Sequence, residues 1–389
     1  MAIPFAYNVR NVMQRPVATL TTAIGVALTI AVLLAAFALA EGFRSTLSST
    51  GSDANVLILR DGADSEVTSG LSLEMASILS AHPNVALAAS GRPLASFEMV
   101  TTINLPRVGQ KGASNIKVRG LSMDDIGMRI TPKIVEGRTF TPGTDEIIVG
   151  DRIAPRFAHC RVGDEIKLQK RPFKVVGRFT TEGSSFESEI WGDARALAPV
   201  FHREGGYQIG VLRMKDPSAF EAMKKEWEAD PRLGVHAERE RVFYESQSAG
   251  TTGLIRGLGI FITAIMAIGA LFGAANTMFA AVANRGREIA TLLVLGFSPV
   301  AVMTSFVVES TIVALIGGVF GCLIALPING ITTSTTNFQS FSEVAFQFRV
   351  TPQLLVTALV FSAVLGALGG LFPAVRAANQ PLARGLRGG

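Results

Sequence analysis

The sequence has few charged residues and few cysteines, and each shortage excludes a class of protein. Only 17% of the residues are charged, against roughly 25% in soluble domains. Hydrophobic residues make up 48% of the chain and the mean hydropathy is +0.37, which indicates a membrane protein. The two cysteines, Cys160 and Cys322, fall in a predicted water-exposed domain and in a predicted membrane span, so we expect no disulfide between them.

Motifs for catalysis and for ligand binding are also missing. The four histidines are scattered and lack the paired spacing of a metal site. Ser184 and Ser185 have no Gly-x-Ser-x-Gly around them, and the chain has no Gly-Lys dipeptide from which to build a phosphate-binding loop. No basic stripe with interleaved aromatics appears, so we expect no nucleic acid as a partner. We predict a chain that is not an enzyme by itself and binds no metal or cofactor directly; if ATP drives it, another subunit binds the ATP.

Four stretches are apolar for long enough to cross a bilayer, which takes about 20 residues. Three of them carry no charge over 25, 28 and 26 residues, and the other contains a single carboxylate, Glu309. We predict four transmembrane helices, the first alone and the last three clustered. The first resembles a signal peptide through its small residues at 36–40, but its apolar stretch is too long for a signal core, so we interpret it as an anchor.

The charge distribution predicts the orientation of these helices. Residues 42–252 contain 27 basic and 27 acidic residues, so the net charge of +5 arises elsewhere. Seven of the nine remaining arginines lie in the N-terminal segment, in the connection between the second and third spans, and in the C-terminal tail. By the positive-inside rule these three segments face the cytoplasm. Both termini are therefore predicted to be cytoplasmic and the large domain to be outside.

The fold predicted from these patterns is a membrane protein with four transmembrane α-helices (1+3) and a large extracytoplasmic α+β domain inserted between helices 1 and 2. Strands are expected near 55–59, 146–149, 173–177 and 210–214, and helices near 72–81, 193–201 and 217–229. The predicted segments are a cytoplasmic amphipathic helix (1–16), the first span (17–41), the outer domain with its stalk (42–252), the second span (253–283), a cytoplasmic connection (284–298), the third span (299–328), a short extracytoplasmic loop (329–351), the fourth span (352–375) and a cytoplasmic tail (376–389).

Small and polar residues inside the spans are the intramembrane candidates. Three glycine pairs at i, i+4 spacing place both members on one helix face and favour close helix packing, within one chain or between two; they are Gly269 and Gly273, Gly317 and Gly321, and Gly366 and Gly370. Glu309 is a candidate for gating or for a structural hydrogen bond, with Asn276 or Thr277 as its expected partner.

Motifs along most of the chain resemble one family, the FtsX-like, MacB-type ABC transporter permeases. The permease motifs are Asn276-Thr277-Met278, the run 284–289, Leu295-Gly296-Phe297-Ser298, Glu309-Ser310 and the glycines that follow. The tail motif is Phe372-Pro373-Ala374 with Pro381-Leu382. The outer-domain motifs lie at 135–140, 146–150, 162–164 and 173–177.

The resemblance implies a permease subunit without a fused ATPase domain, which forms a homodimer and sits on two copies of a separate ATP-binding subunit. ATP and Mg would be bound by that partner. In this family the connection between spans two and three contacts the ATPase, which assigns coupling to Arg285, Arg287, Glu288, Leu295 and Gly296. The family commonly has an acid where this chain has Asn284. A membrane-fusion adaptor is a further partner that the resemblance allows, besides the lipid bilayer.

The implied location is the cell inner (plasma) membrane, as a multi-pass protein with a periplasmic domain. The implied function is mechanical: closure of the ATPases would move the outer domain, so that a lipid, lipoprotein, peptide or drug-like substrate is exported or extracted. The alternative is an FtsX-like regulator that activates a cell-wall hydrolase without transporting cargo. The sequence does not name the cargo.

Overall fold

The chain divides into two units in the computed structural model, which describes residues 4–109, 111–123, 125–129 and 131–379. The membrane unit comprises residues 1–41, 253–331 and 348–389, and the outer unit comprises residues 42–252 and 332–347. From residue 380 onward the predicted tail, with its Pro381-Leu382 motif, lies outside the described residues.

The helices and strands are numbered in chain order. The helices are α1 (Phe5–Met13), α2 (Pro16–Ser48), α3 (Leu73–Ser80), α4 (Ile126–Arg129), α5 (Ala194–Val200), α6 (Phe220–Ala229), α7 (Glu240–Asn284), α8 (Gly286–Val294), α9 (Pro299–Ala325) and α10 (Pro352–Ala378). The strands are β1 (Asn55–Arg60), β2 (Leu71–Ser72), β3 (Ala95–Pro106), β4 (Ala113–Leu121), β5 (Lys133–Gly137), β6 (Glu146–Gly150), β7 (Glu165–Leu168), β8 (Arg171–Thr180), β9 (Glu189–Asp193), β10 (Gly206–Tyr207), β11 (Ile209–Arg213), β12 (Val235–Arg239), β13 (Thr332–Asn337) and β14 (Ser342–Gln347).

Within the described residues, four helices are long and apolar enough to cross a membrane, as predicted. They are α2, α7, α10 and α9 with the short helical turn that extends it to Ile328. Two of them exceed what a bilayer requires, because α2 has 33 residues and α7 has 45. At 1.5 Å per residue α7 is roughly 68 Å long, about twice the thickness of the hydrocarbon core. Part of α7 therefore extends beyond the apolar layer.

Glycines bring the membrane helices into close contact at two of the three predicted pairs. A Cβ at Gly317 or Gly321 would lie 2.6 Å from a backbone oxygen of α2, and a Cβ at Gly366 would lie 2.8 Å from the Ser310 carbonyl of α9. Gly370 likewise contacts Ser310. At Gly269 and Gly273 of α7, by contrast, no atom of the described chain lies within 4 Å of an added Cβ. This pair is left open to lipid or to a second chain.

The outer unit is built on one ten-stranded mixed sheet. Its order is β12-β1-β11-β3-β4-β9-β6-β8-β5, with β7 also paired to β8. The β4–β9 and β6–β8 pairs are parallel, while the others are antiparallel. The strands predicted near residues 55, 146, 173 and 210 are confirmed as β1, β6, β8 and β11. The α+β class of this domain follows from the sheet together with α3, α5 and α6.

The segment predicted as a short loop between the third and fourth spans contains a β-hairpin. Strands β13 and β14 pair antiparallel from Thr332–Gln347 to Asn337–Ser342. Val344, Ala345 and Phe346 of β14 are buried, and the hairpin belongs to the outer unit. Burial of this β-branched and apolar strand explains why the segment is ordered rather than a free loop.

Candidate functional site

The connection between the second and third long helices forms the short amphipathic helix α8. Ile289 and Ala290 on one side are buried, whereas Arg287, Thr291 and Leu295 on the other side are exposed. These three residues recur at i, i+4 and i+8, which places them along one face. Arg287, Thr291 and Leu295, together with neighbouring Val294, are named the α8 outer face. It is basic at one end and apolar at the other.

Gly296 ends α8 rather than adding to that face. Its φ of +90° is the left-handed conformation that favours glycine. The Gly296 N–H donates to Leu293 O at 3.2 Å and the Phe297 N–H donates to Leu292 O at 3.1 Å, the paired bonds of a Schellman C-cap. Ser298 then caps α9 by accepting from the Ala301 N–H at 3.2 Å. The turn between α8 and α9 is therefore fixed by backbone geometry.

Arg285 lies inside the helix bundle rather than on the α8 outer face. Its Nη1 donates to Glu309 Oε2 at 2.9 Å, its Nε to Glu288 Oε2 at 2.7 Å, and its Nη2 to the Tyr7 hydroxyl at 2.8 Å. The guanidinium carbon also lies 5.2 Å from the centre of the Phe306 ring. The family resemblance assigns coupling to both Arg285 and Arg287, and of these two only Arg287 is exposed. Arg285 holds the start of α8 against α1 and α9.

Glu309 has a different partner from the one expected. It is 5% exposed and pairs with Arg285, whereas the sequence pointed to Asn276 or Thr277. Asn276 is exposed, and the Thr277 hydroxyl bonds to Thr22 Oγ1 at 2.8 Å. A buried carboxylate is costly unless it is paired, and Arg285 supplies that partner. Glu288 also pairs with Arg285, and the Arg285 guanidinium holds the pKa of the Glu288 carboxyl below its ordinary value.

The N-terminal helix α1 completes this cluster through two polar residues. The Tyr7 hydroxyl donates to Glu288, and Ser305 Oγ of α9 donates to Asn8 Oδ1. Among the α1 residues whose side chains are described, Asn8 and Val12 are buried, while Val9 and Met13 are exposed. The buried Asn8 amide is tolerated because it has a hydrogen-bond partner. The side chain of Phe5 lies outside the described residues.

A second polar cluster occupies the interior of the outer unit. Arg119 of β4 is fully buried and donates to Glu189 at 2.7 Å, to Glu98 at 2.6 Å and to Glu66 at 3.0 Å. Lys117 donates to Glu66 at 2.6 Å. Burial alone would raise the pKa of Glu66, but the cations Arg119 and Lys117 outweigh it and hold the pKa well below the usual range.

The same cluster fixes the first turn of α7. Arg129 donates to Glu98 at 2.6 Å, to Glu240 at 2.6 Å and to the Tyr244 hydroxyl at 2.7 Å. Asn55 of β1 also donates to Glu240 at 2.7 Å. Sequence reasoning missed these residues, because Lys117 and Arg119 alternate with Ile116 and Val118 in β4, the pattern of a strand with one charged, exposed face. The start of α7 is tied to the centre of the sheet.

The β13–β14 hairpin is held to the body of the outer unit by a shared carboxylate. Glu343, which is 4% exposed, pairs with Arg107 and with Arg156 Nη2, the latter at 2.9 Å. The Ala345 N–H donates to Ser188 Oγ at 2.9 Å, and Arg152 Nη1 donates to Ala345 O at 2.7 Å. Sequence reasoning missed this contact because its partners are 157 to 236 positions apart.

Among the described residues no group of three or more His, Cys, Asp or Glu side chains could hold a metal ion. Cys160 and Cys322 are free and buried. Burial raises the pKa of the Cys160 thiol to about 12, so it is not a reactive thiolate.

Comparison with known proteins identifies a family for each of the two regions of the chain. The family described as MacB-like periplasmic core domain matches residues 19–230, and the family described as FtsX-like permease C-terminal matches residues 260–382. The chain belongs to this family of ABC transporter permeases: it is a membrane permease with a MacB-like extracytoplasmic α+β domain and an FtsX-like permease region.

Two curated relatives illustrate the likeness. An uncharacterised ABC transporter permease of Methanocaldococcus jannaschii is 27% identical over 59% of this chain and 58% of its own. The macrolide export ATP-binding/permease protein MacB of Mannheimia succiniciproducens is 23% identical over 96% of this chain and 59% of its own. The chain thus spans less than two thirds of the length of these relatives. The crystal structure of the periplasmic region of MacB from Actinobacillus actinomycetemcomitans is 12% identical, with a TM-score of 0.37 over 51% of this chain and 94% of that chain.

Proposed function

We propose that this chain is the transmembrane subunit of an ABC transporter that converts ATP hydrolysis by a separate ATP-binding subunit into movement of the outer unit. Two permease copies and two ATP-binding subunits would form the complex, with ATP and Mg bound by the latter. The movement would export or extract a lipid, lipoprotein, peptide or drug-like substrate. The name of the MacB relative, a macrolide exporter, favours export over regulation of a cell-wall hydrolase.

The observation that carries this proposal is that the two faces of α8 have different surroundings. One face of α8 is exposed and unused within the described chain, and the other is fixed to α1 and α9 through Arg285. A partner that pushes on the α8 outer face would therefore displace α9 and α1 together. Helix packing at Gly317 and Gly366 would pass the displacement to α2 and α10. In this proposal α8 faces the cytoplasm, the outer unit faces the periplasm, and the protein lies in the inner membrane.

Coupling at the α8 outer face is testable with the ATP-binding subunit that co-purifies with this chain. Arg287→Ala and Leu295→Ser each remove an exposed side chain of the α8 outer face and leave the Arg285–Glu309 pair unchanged. We therefore expect each variant to stimulate ATP hydrolysis at least tenfold more weakly than the unaltered chain. That factor corresponds to about 1.4 kcal/mol. Stimulation is measured in nanodiscs as the increase in phosphate release when the permease is added.

The matched control for this experiment is Arg161→Ala. Arg161 is an exposed arginine of the outer unit, far along the chain from α8. This variant should stimulate ATP hydrolysis like the unaltered chain. Full stimulation by both α8 variants would mean that α8 is not the docking element.

A homodimer is proposed from an apolar seam on α7. Six exposed residues recur at alternating spacings of four and three: Leu254, Leu258, Phe261, Ile265, Ile268 and Phe272. This 3.5-residue period is that of a helix that pairs with another helix. The seam lies opposite the α7 face that holds the buried Thr263, Ala267 and Ala274. A second copy of α7 would cover this seam. An adaptor outside the membrane is a further proposed partner.

A further inference from the structure

The exposed side of α1 combines apolar and polar residues. Val9 and Met13, which are 36% and 75% exposed, lie one turn apart. Arg10 and the C-capping Gln14 are exposed beside them, also one turn apart. A helix that exposes an apolar strip next to a basic one is suited to the boundary between lipid and water.

The connection to α2 places α1 at this boundary. Only two residues separate α1 from Pro16, where α2 begins, and α2 is long and apolar enough to cross a membrane. The 25 residues that follow Arg15 carry no charge, so the apolar layer begins close to Pro16. The exposed side of α1 is therefore within reach of the headgroups of one leaflet.

This part of the chain carries positive charge that its own carboxylates do not neutralise. The first 40 residues contain Arg10 and Arg15 and no Asp or Glu. Glu288 and Glu309, the acidic residues of α8 and α9, both pair with the arginine that precedes α8. Among the described residues, neither Arg10 nor Arg15 has an ion-pair partner. Two such cations at the surface of a bilayer attract anionic headgroups.

The other side of α1 is bonded to the two elements on which coupling depends in the proposed function. The Tyr7 hydroxyl donates to Glu288 of α8 and accepts from Arg285 Nη2 at 2.8 Å. Ser305 Oγ of α9 donates to Asn8, which is 3% exposed. An interaction that holds α1 in place therefore also restrains the start of α8.

We propose that the exposed side of α1 binds the headgroups of anionic phospholipids, with Arg10 and Arg15 as the charged contacts and Val9 and Met13 inserted beneath them. Guanidinium groups bind phosphate oxygens through charge-assisted hydrogen bonds. The bound lipid holds α1 and, through Tyr7, the start of α8. The lipid contact does not depend on an ATPase, whereas its effect on coupling rests on the proposed function.

The test compares the full chain in two kinds of nanodisc, one of phosphatidylcholine alone and one that also contains phosphatidylglycerol. Hydrogen exchange with mass spectrometry measures the amides of α1 and of α8. We expect α1 to exchange at least tenfold more slowly with the anionic lipid, because its amides exchange when α1 opens locally and the bound lipid opposes that opening. Exchange in α8 should slow as well, and added salt should reduce both effects.

Four variants separate the parts of this proposal. Arg10→Gln should lose most of the lipid effect, whereas Arg10→Lys, which keeps the charge, should retain it. Arg161→Gln removes the same charge from an exposed arginine of the outer unit and should behave like the unaltered chain. Tyr7→Phe removes the hydroxyl that bonds to α8, so α1 should still respond to anionic lipid while α8 responds less.

Equal exchange of α1 in the two nanodiscs would overturn the proposal. The same slowing by inorganic phosphate in phosphatidylcholine nanodiscs would overturn it in favour of a free phosphate ligand. A lipid response of α1 without any response of α8 in the unaltered chain would overturn the link to α8. No ATPase is present in this experiment, so its failure leaves the coupling result standing.

Discussion

At the scale of single residues, Arg285 and Glu309 form a buried ion pair that joins the start of α8 to α9. The guanidinium is the direct partner of a carboxylate that is 5% exposed. Removing one member of a buried pair leaves an uncompensated charge, which costs about 3–5 kcal/mol. Replacing both members by apolar residues of similar volume is often neutral or stabilising. The pair therefore contributes more to the positioning of α8 than to net stability.

This reasoning predicts the behaviour of three variants. Arg285→Met should lower the midpoint of thermal unfolding in detergent, because Glu309 is left buried without its cation. Glu309→Leu in the same chain should restore most of the loss. Stimulation of the ATPase should stay low in the double variant, since the bonds from residue 285 to Glu309 of α9 and to Tyr7 of α1 are absent. A double variant as unstable as the single one would contradict this account.

At the scale of elements, the carboxylate of Glu343 is one of several contacts that hold the β13–β14 hairpin to the outer unit. Glu343→Gln removes the negative charge shared by Arg107 and Arg156. Hydrogen bonds to charged groups contribute about 1.5–3 kcal/mol each, so amide exchange in residues 332–347 should accelerate at least tenfold. Hydrogen exchange with mass spectrometry measures this change directly.

The control for the hairpin experiment is an ion pair at the surface. Glu245→Gln alters the Arg44–Glu245 pair, whose side chains are 40% and 50% exposed. Exposed pairs contribute roughly 0–1 kcal/mol, so exchange in the hairpin should not change. Unchanged exchange in Glu343→Gln would mean that the backbone bonds of Ala345 suffice to hold the hairpin.

Elements also show how far the sequence determines the structure. The four long helices were predictable because a long apolar stretch has few other stable arrangements in a bilayer. Strands β1, β6, β8 and β11 were predictable from short apolar runs between turn residues. The β3–β4 hairpin was missed because Glu98 and Arg119 interrupt its apolar pattern, and only partners distant in sequence make their burial tolerable.

The position of the candidate site along the chain was predictable from the sequence, but the directions of its side chains were not. Charge and resemblance located the connection between the second and third spans, and α8 is there. Which side of α8 faces the bundle depends on Tyr7 and Glu309, which lie far from it in sequence. The inward direction of Arg285 therefore required the tertiary structure, as did the exposure of Asn276.

At the scale of the whole molecule, the apolar seam of α7 requires a neighbour if the permease works as a pair. Phe272, Ile265 and Leu258 are 73%, 57% and 62% exposed. Lipid would cover apolar residues at any spacing, whereas a 3.5-residue repeat is the mark of pairing between helices. The seam therefore favours a second copy of α7 as the covering surface.

Cysteine cross-linking in native membranes tests this prediction. Ile265→Cys lies on the seam, so an oxidant should convert most of the chain into a covalent dimer because the two copies of residue 265 would meet across a two-fold axis. Ile262→Cys is the matched control, since Ile262 is 47% exposed but lies about 80° around the helix from the centre of the seam. Both variants share the native cysteines, so their difference reports the new thiol alone. Equal cross-linking of the two would indicate random collision, and cross-linking of Ile262→Cys alone would place the pairing face elsewhere on α7.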